Sequence, residues 1–347
     1  MLGKVAQRIS IALAGAVAFA ACASAAASSP GGSGTQLRLG YFANITHAPA
    51  LIEIESGSLQ TALGNAVTLH TTTFAAGPAA VEALFAGSID AAYIGPNPAI
   101  NAYAKSHGEA IRIVSGATSG GAFLVVRDGI KTAPDLTHTK IATPQLGGTQ
   151  DVALRSWLAT AHLSTDTVGG GDVSIVPQEN ARTLDALKTG AIDGAWVPEP
   201  WASRLVADAH AHVLVDERTL WPAGQYATTQ LVVRTTFLAQ HPEIVQHLIE
   251  ANSAAIDFAT QHPAEAQILA NARIKKITQK TINAKVLAAA WKNLTFTVDP
   301  IASSLQRSAD AEVAIGFITA VDLHGIFDLT LLNRFLVSHN RPKVAPL

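Results

Sequence analysis

A chain of 347 residues is long enough for two domains of ordinary size, each with its own core. Apolar residues make up 48% and charged residues only 14%, which excludes a disordered acidic or basic chain. The formal charge of -2, from 24 Lys and Arg against 26 Asp and Glu, offers no footprint for nucleic acid.

In chain order, Lys4 and Arg8 make a positive segment ahead of a short apolar run over residues 9–18, and Phe19-Ala20-Ala21 leads into Cys22. That run is too short for a bilayer, which needs about 20 residues, so residues 1–21 read as an export signal. Cys22 is the only cysteine and stands where a lipoprotein signal places the acylated residue, with Phe19 where Leu is usual. A lone cysteine rules out disulfides within the chain. Residues 22–35 are Ala, Ser and Gly around Pro30 and read as a flexible tether. The expected location is the outer face of the cytoplasmic membrane, held by lipid alone, or the periplasm if Cys22 is not acylated.

Residues 37–42 alternate as a first strand, and Asn44-Ile45-Thr46-His47-Ala48-Pro49 opens a helix, with Thr46 as the expected cap. Then comes a stretch that occurs twice, over residues 81–90 and 184–193. Each copy predicts a helix with apolar pairs at i and i+3, a glycine for the left-handed turn that ends it, and Ile-Asp opening a buried strand. The first copy runs into Pro96-Asn97-Pro98 and the second into Pro198-Glu199-Pro200-Trp201. Strand-to-helix turns of this kind are where open α/β sheets place ligand sites. Residues 123–127 and 230–234 also echo each other, and crossovers between two lobes are expected there. Residues 36–125 and 230–347 then form lobe I, and residues 126–229 lobe II. Within lobe II, a strand at residues 140–143 breaks at Gly147-Gly148-Thr149-Gln150 into a helix, with Thr149 able to cap. From Thr235 onward the pattern is helical, with Pro242, Pro263 and Pro300 at the expected helix starts and no visible chemistry.

Four turns qualify as walls of a cleft: Asn44 with Thr46 and His47, Pro96 with Asn97, Gly148 with Thr149 and Gln150, and Glu199 with Trp201. A helix N-terminus carries about half a positive charge and favours a nearby anion. Several such termini converging, with Thr, Asn and Gln side chains, would hold a small oxyanion without an arginine. Glu199 would repel that ligand, so it either caps its helix or meets an amine. Trp196 and Trp201 would suit an apolar substituent, though Trp196 in a strand is ordinary core. Asp90 and Asp193 hold equivalent positions, which argues for a structural bond in each half. His210-Ala211-His212, His107 and His138 lack metal-ligand spacing, and no catalytic triad or phosphate loop is present, so neither metal nor cofactor is expected.

Residues 194–205, together with residues 74–78, 146–155 and 322–327, resemble the solute-binding proteins of nitrate, taurine and aliphatic-sulfonate ABC importers, the sulfonate branch most of all. The resemblance covers residues 37–337. It implies an α/β, two-lobed periplasmic-binding-protein fold of type II, with two crossovers. It also implies a monomeric receptor, not an enzyme, that closes on a small organic anion such as an alkyl or aryl sulfonate or taurine and delivers it to a permease with its ATPase. Carried over by position, the family's ligand-facing turns fall on the four named above. Binders of nitrate, bicarbonate or the thiamine pyrimidine are the alternatives. Enzymes that make that pyrimidine share the fold class but carry a cysteine-rich motif, which a chain with Cys22 alone cannot supply.

Overall fold

In the computed structural model, which describes residues 34–347, the first strand β1 (Thr35–Phe42) is buried on both faces from Leu39 onward. Two-sided burial is what a parallel strand covered by helices requires. Ten more strands follow: β2 (Val67–Phe74), β3 (Ala91–Ile94), β4 (Ile111–Gly120), β5 (Ala122–Val126), β6 (Lys140–Thr143), β7 (Ser174–Pro177), β8 (Gly194–Pro198), β9 (His212–Asp216), β10 (Ala227–Arg234) and β11 (Leu294–Phe296). They form two sheets, ordered β11-β4-β10-β3-β1-β2 and β9-β5-β8-β6-β7. The expected export signal, the acylation of Cys22 and nearly all of the tether lie outside the described residues.

The sheets repeat one plan. In the first, β1 runs parallel to β2 and β3, and β10 is antiparallel to β3; in the second, β6 runs parallel to β7 and β8, and β5 is antiparallel to β8. The duplicated sequence supplies the matching pieces: the helices Gly77–Phe85 and Asn180–Lys188, then Gly87 and Gly190 at φ of +66° and +73°, then β3 and β8. Asp90 and Asp193 make the same bonds in each half. Asp90 Oδ2 accepts from the backbone N–H of Arg38 at 3.0 Å, and Asp193 Oδ2 from that of Lys140 at 2.8 Å. Arg234, ending β10, pairs with Asp90 at 2.8 Å, and Arg127, just past β5, pairs with Asp193 at 2.6 Å. These carboxylates tie three strands together in each lobe.

The crossovers differ from expectation. The chain leaves the first sheet at Gly120 and Gly121, which sit at φ of +78° and +76°. It enters the second sheet at once as β5, which begins at Ala122, four residues ahead of the predicted start of lobe II at residue 126. It returns between Asp216 and Ala227, ahead of the predicted position at residue 230. The echoing strands β5 and β10 are thus the first strand of one sheet and the returning strand of the other, because each must lie antiparallel beside its repeat strand.

The C-terminal region holds the helices Pro242–Gln261 and Pro263–Thr278, which begin on the expected prolines. Pro300 instead lies two residues ahead of the helix Ala302–Ala314. It also contains β11, an edge strand on β4 that the helical pattern concealed. Most of its apolar residues join the core of the first lobe.

Candidate functional site

The carboxyl ends of β1, β2 and β3 face those of β6, β7 and β8 across a cleft, and each leads into a helix or helical turn. Asn44, Thr46, His47, Gly148, Thr149 and Gln150 line one small cavity in that cleft, of about 30 Å³. Pro198 reaches the same cavity from the end of β8. Pro96 and Asn97 line a second, larger cavity of about 240 Å³, on the other side of their turn, while Gly95 and Pro98 face the small one.

Local structure decides what each side chain is free to do. The expected cap at Thr46 is absent: residues 45–47 form a single 3-10 turn headed by Asn44, and the helix proper begins at Ala48. Thr149 does not cap either. Gly148 takes the cap position and Thr149 the first helical one, so the Thr149 hydroxyl is left without a protein partner although the residue is only 8% exposed. His47 Nδ1 and Asn180 Oδ1 are also buried without a partner among the described residues, and both residues line the small cavity. Burial lowers the His47 imidazole to about 3, so it is neutral at ordinary pH and can donate from one ring nitrogen. The Asn180 amide can present its NH₂ after a simple flip.

No Arg or Lys lines this cavity among the described residues. What faces it instead is a set of neutral donors and the N-terminal ends of the helices Gly77–Phe85, Thr149–Thr160 and Asn180–Lys188. Buried, partner-seeking donors at several helix N-termini suit a small oxyanion, whose charge they can solvate without a counter-ion. The loop before Thr149 is held by Asp151, which accepts from Thr143 Oγ1 at 2.9 Å, the Gly147 N–H at 3.0 Å and Arg155 at 3.0 Å.

Glu199 is not among the residues lining either cavity. Its carboxylate caps the helix Trp201–Ala209 by accepting from the Ser203 N–H at 3.0 Å and the Ser203 hydroxyl at 2.8 Å. It also accepts from Asn293 of the other lobe at 2.7 Å. Burial pushes its pKa up, against the lowering effect of those bonds. Trp201 is likewise occupied, donating to Asn44 Oδ1 across the cleft at 2.9 Å, and Trp196 is plain core.

Sequence reasoning missed Gly77, Asn180 and Thr228. The first two follow β2 and β7 and complete six strand ends around the cavity; aligning the internal repeats would have exposed both. Gly77 is needed for close approach, since a Cβ there would lie 2.2 Å from Pro98 Cγ. Thr228 lies within β10, where no strand-to-helix signature exists, and its hydroxyl bonds Gly120 O at 2.6 Å beside the first crossover. The C-terminal helices contribute Arg307 and Ser308 to the wall of the larger cavity.

The family profile described as NMT1-like matches residues 31–274. A Brucella abortus protein named provisionally as a binding protein is 27% identical over 203 residues, 56% of this chain and 59% of that relative. The match thus spans about three fifths of that relative's length. A Bacillus subtilis protein, provisionally an aliphatic sulfonates-binding protein, is 23% identical over 88% of this chain and 89% of its own. Among solved structures, the periplasmic nitrate-binding protein of Synechocystis PCC 6803 superposes with a TM-score of 0.73 at 18% identity, covering 90% of this chain and 92% of that one. The alkanesulfonate-binding protein of Xanthomonas axonopodis pv. citri, bound to MOPS, gives 0.69 at 19% identity, covering 82% and 95%. The architecture is the two-lobed α/β periplasmic-binding-protein fold.

Proposed function

This chain belongs to the NMT1-like family, and from that premise we propose that it is the solute-binding protein of an ABC importer. In this reading it is exported, held outside the membrane through Cys22, and not an enzyme. It captures a small organic anion of the sulfonate type between its lobes and hands it to a permease and its ATPase. The observation that carries the reading is the trio His47 Nδ1, Thr149 Oγ1 and Asn180, buried, without partners and lining one cavity from both lobes. Burying a polar group unpaired costs about 1 to 3 kcal/mol. A ligand that pairs all three in the closed form recovers that cost there alone, and so shifts the equilibrium toward closure. The names of the sulfonate-binding and nitrate-binding neighbours support an oxyanion.

The test is a thermal-shift and calorimetric panel on the chain lacking residues 1–22, against methanesulfonate, ethanesulfonate, taurine, nitrate and bicarbonate. A ligand at 100 times its Kd adds about 2.7 kcal/mol of stability. Thr149→Val should then weaken binding by about ten- to hundred-fold while the empty protein keeps or gains stability, because the lost hydroxyl had no partner. A panel without a single stabilising anion would overturn the reading.

A further inference from the structure

The small cavity can take a head group and little more, whereas the larger one shares Thr149 with it and lies just past the turn at residues 95–98. Its walls are mainly apolar. Val152, Ala153 and Trp157 come from the helix Thr149–Thr160, Trp221 and Tyr226 from the return crossover, and Ala311 from the helix Ala302–Ala314. The aromatic surfaces are braced. The rings of Trp221 and Tyr226 stack with centroids 5.3 Å apart and 11° between planes, and Arg307 lies over Trp221 at 5.1 Å. Trp157 packs against the core residue Trp196 at 6.1 Å. An apolar cavity of about 150 Å³ admits benzene. One of about 240 Å³ therefore has room for a substituted ring.

We propose that the ligand is an aryl-bearing oxyanion, with its charged head at His47 and Thr149 and its ring against Trp157, Trp221 and Tyr226. This rests on the receptor reading above and narrows its ligand class. Nitrate, bicarbonate or a short alkanesulfonate would fill the first cavity and leave the second without an organic occupant. A planar ring is matched to rigid aromatic walls by offset or edge-to-face packing as well as by area. Thr149 is the junction: its unpartnered hydroxyl meets the head group while its own helix carries Trp157 along the ring.

Calorimetric titration with ethanesulfonate, benzenesulfonate and 2-naphthalenesulfonate tests this on the wild-type chain, on Ala153→Phe, which fills the cavity, and on the milder Trp221→Leu. The expected result is about ten- to hundred-fold tighter binding of the aryl compounds than of ethanesulfonate. That ratio should fall toward one in both variants, each first shown to be folded by its melting curve. A wild-type ratio near one, with ethanesulfonate still bound, overturns this inference and leaves the receptor reading standing. An aryl preference that neither variant changes also overturns it, because the ring must then lie elsewhere. Failure of every sulfonate to bind overturns this inference, and the receptor reading falls with it only if nitrate, bicarbonate and the rest of the anion panel also give no stabilisation.

Discussion

Trp201 Nε1 donates to Asn44 Oδ1 at 2.9 Å, tying the turn after β8 to the turn after β1 across the cleft. The bond joins the two lobes, so it exists only when they are closed. Trp201→Phe keeps an aromatic ring, though a smaller one, and leaves Asn44, only 7% exposed, without this donor. A neutral hydrogen bond is worth about 0.5 to 1.5 kcal/mol, which corresponds to a two- to tenfold weaker affinity for any ligand that binds by closure. Titration calorimetry with small-angle scattering measures both quantities. Unchanged affinity and an unchanged radius of gyration would show that this bond does not bias closure.

Gly95→Ala should act on the closed, ligand-holding form alone. Its backbone, at φ of -75° and ψ of 166°, accepts any residue. Yet a Cβ there would stand 2.2 Å from Thr149 Oγ1 on the opposite lobe. The variant must either prop the lobes apart or turn the Thr149 hydroxyl away from the cavity. Ligand affinity is expected to fall by about tenfold or more, with the melting temperature of the empty protein nearly unchanged. Wild-type affinity in this variant would contradict the closed geometry.

The paired carboxylates Asp90 and Asp193 offer a comparison inside one molecule. Asp90 is 2% exposed and serves both Arg38 and Arg234, whereas Asp193 is 21% exposed and its partner Arg127 is 54% exposed. Asp90→Ala should cost about 2 to 4 kcal/mol of stability and Asp193→Ala about 1 kcal/mol, measured by urea unfolding. Equal losses would refute the comparison. Burial pushes the Asp90 carboxyl up, but hydrogen bonds from Arg38 and Arg234 outweigh it and hold the group below its ordinary value. Its contribution is thus present above the unfolded value of about 3.9 and is lost as pH falls through the lower folded one.

Glu312 predicts the opposite slope. Burial raises it to about 8, against hydrogen bonds from Asn101 and Asn97 that act to lower it. The folded protein therefore holds a proton that the unfolded chain gives up above about 4.3. Stability tied to that proton is complete below the unfolded value and is lost as pH rises toward 8. Glu312→Gln should flatten the fall in melting temperature between about pH 5 and pH 8. A variant curve parallel to that of the wild type would show that Glu312 is ionised in the fold.

By itself the sequence determined the two-lobed α/β plan and the duplicated helix-glycine-strand unit, and the residues of two of its four named turns, 44–47 and 148–150, line the small cavity. Those features are local: apolar spacing sets the helices and strands, and Gly87 and Gly190 set the turns that end the repeat helices. The same reasoning placed a cap on Thr46 and on Thr149, and only the folded chain showed the caps elsewhere, because residues 45–47 form their own turn and Gly148 precedes Thr149. Glu199 illustrates the limit most clearly. A carboxylate after a strand invites a ligand role in sequence, but Asn293, 94 residues away, claims it in the structure. Tertiary structure alone decided which polar atoms stay unpaired, since that depends on every neighbour that long-range packing brings to a buried site. The same packing joined Trp157, Trp221 and Arg307 around one cavity, though they lie on three separate segments of the chain.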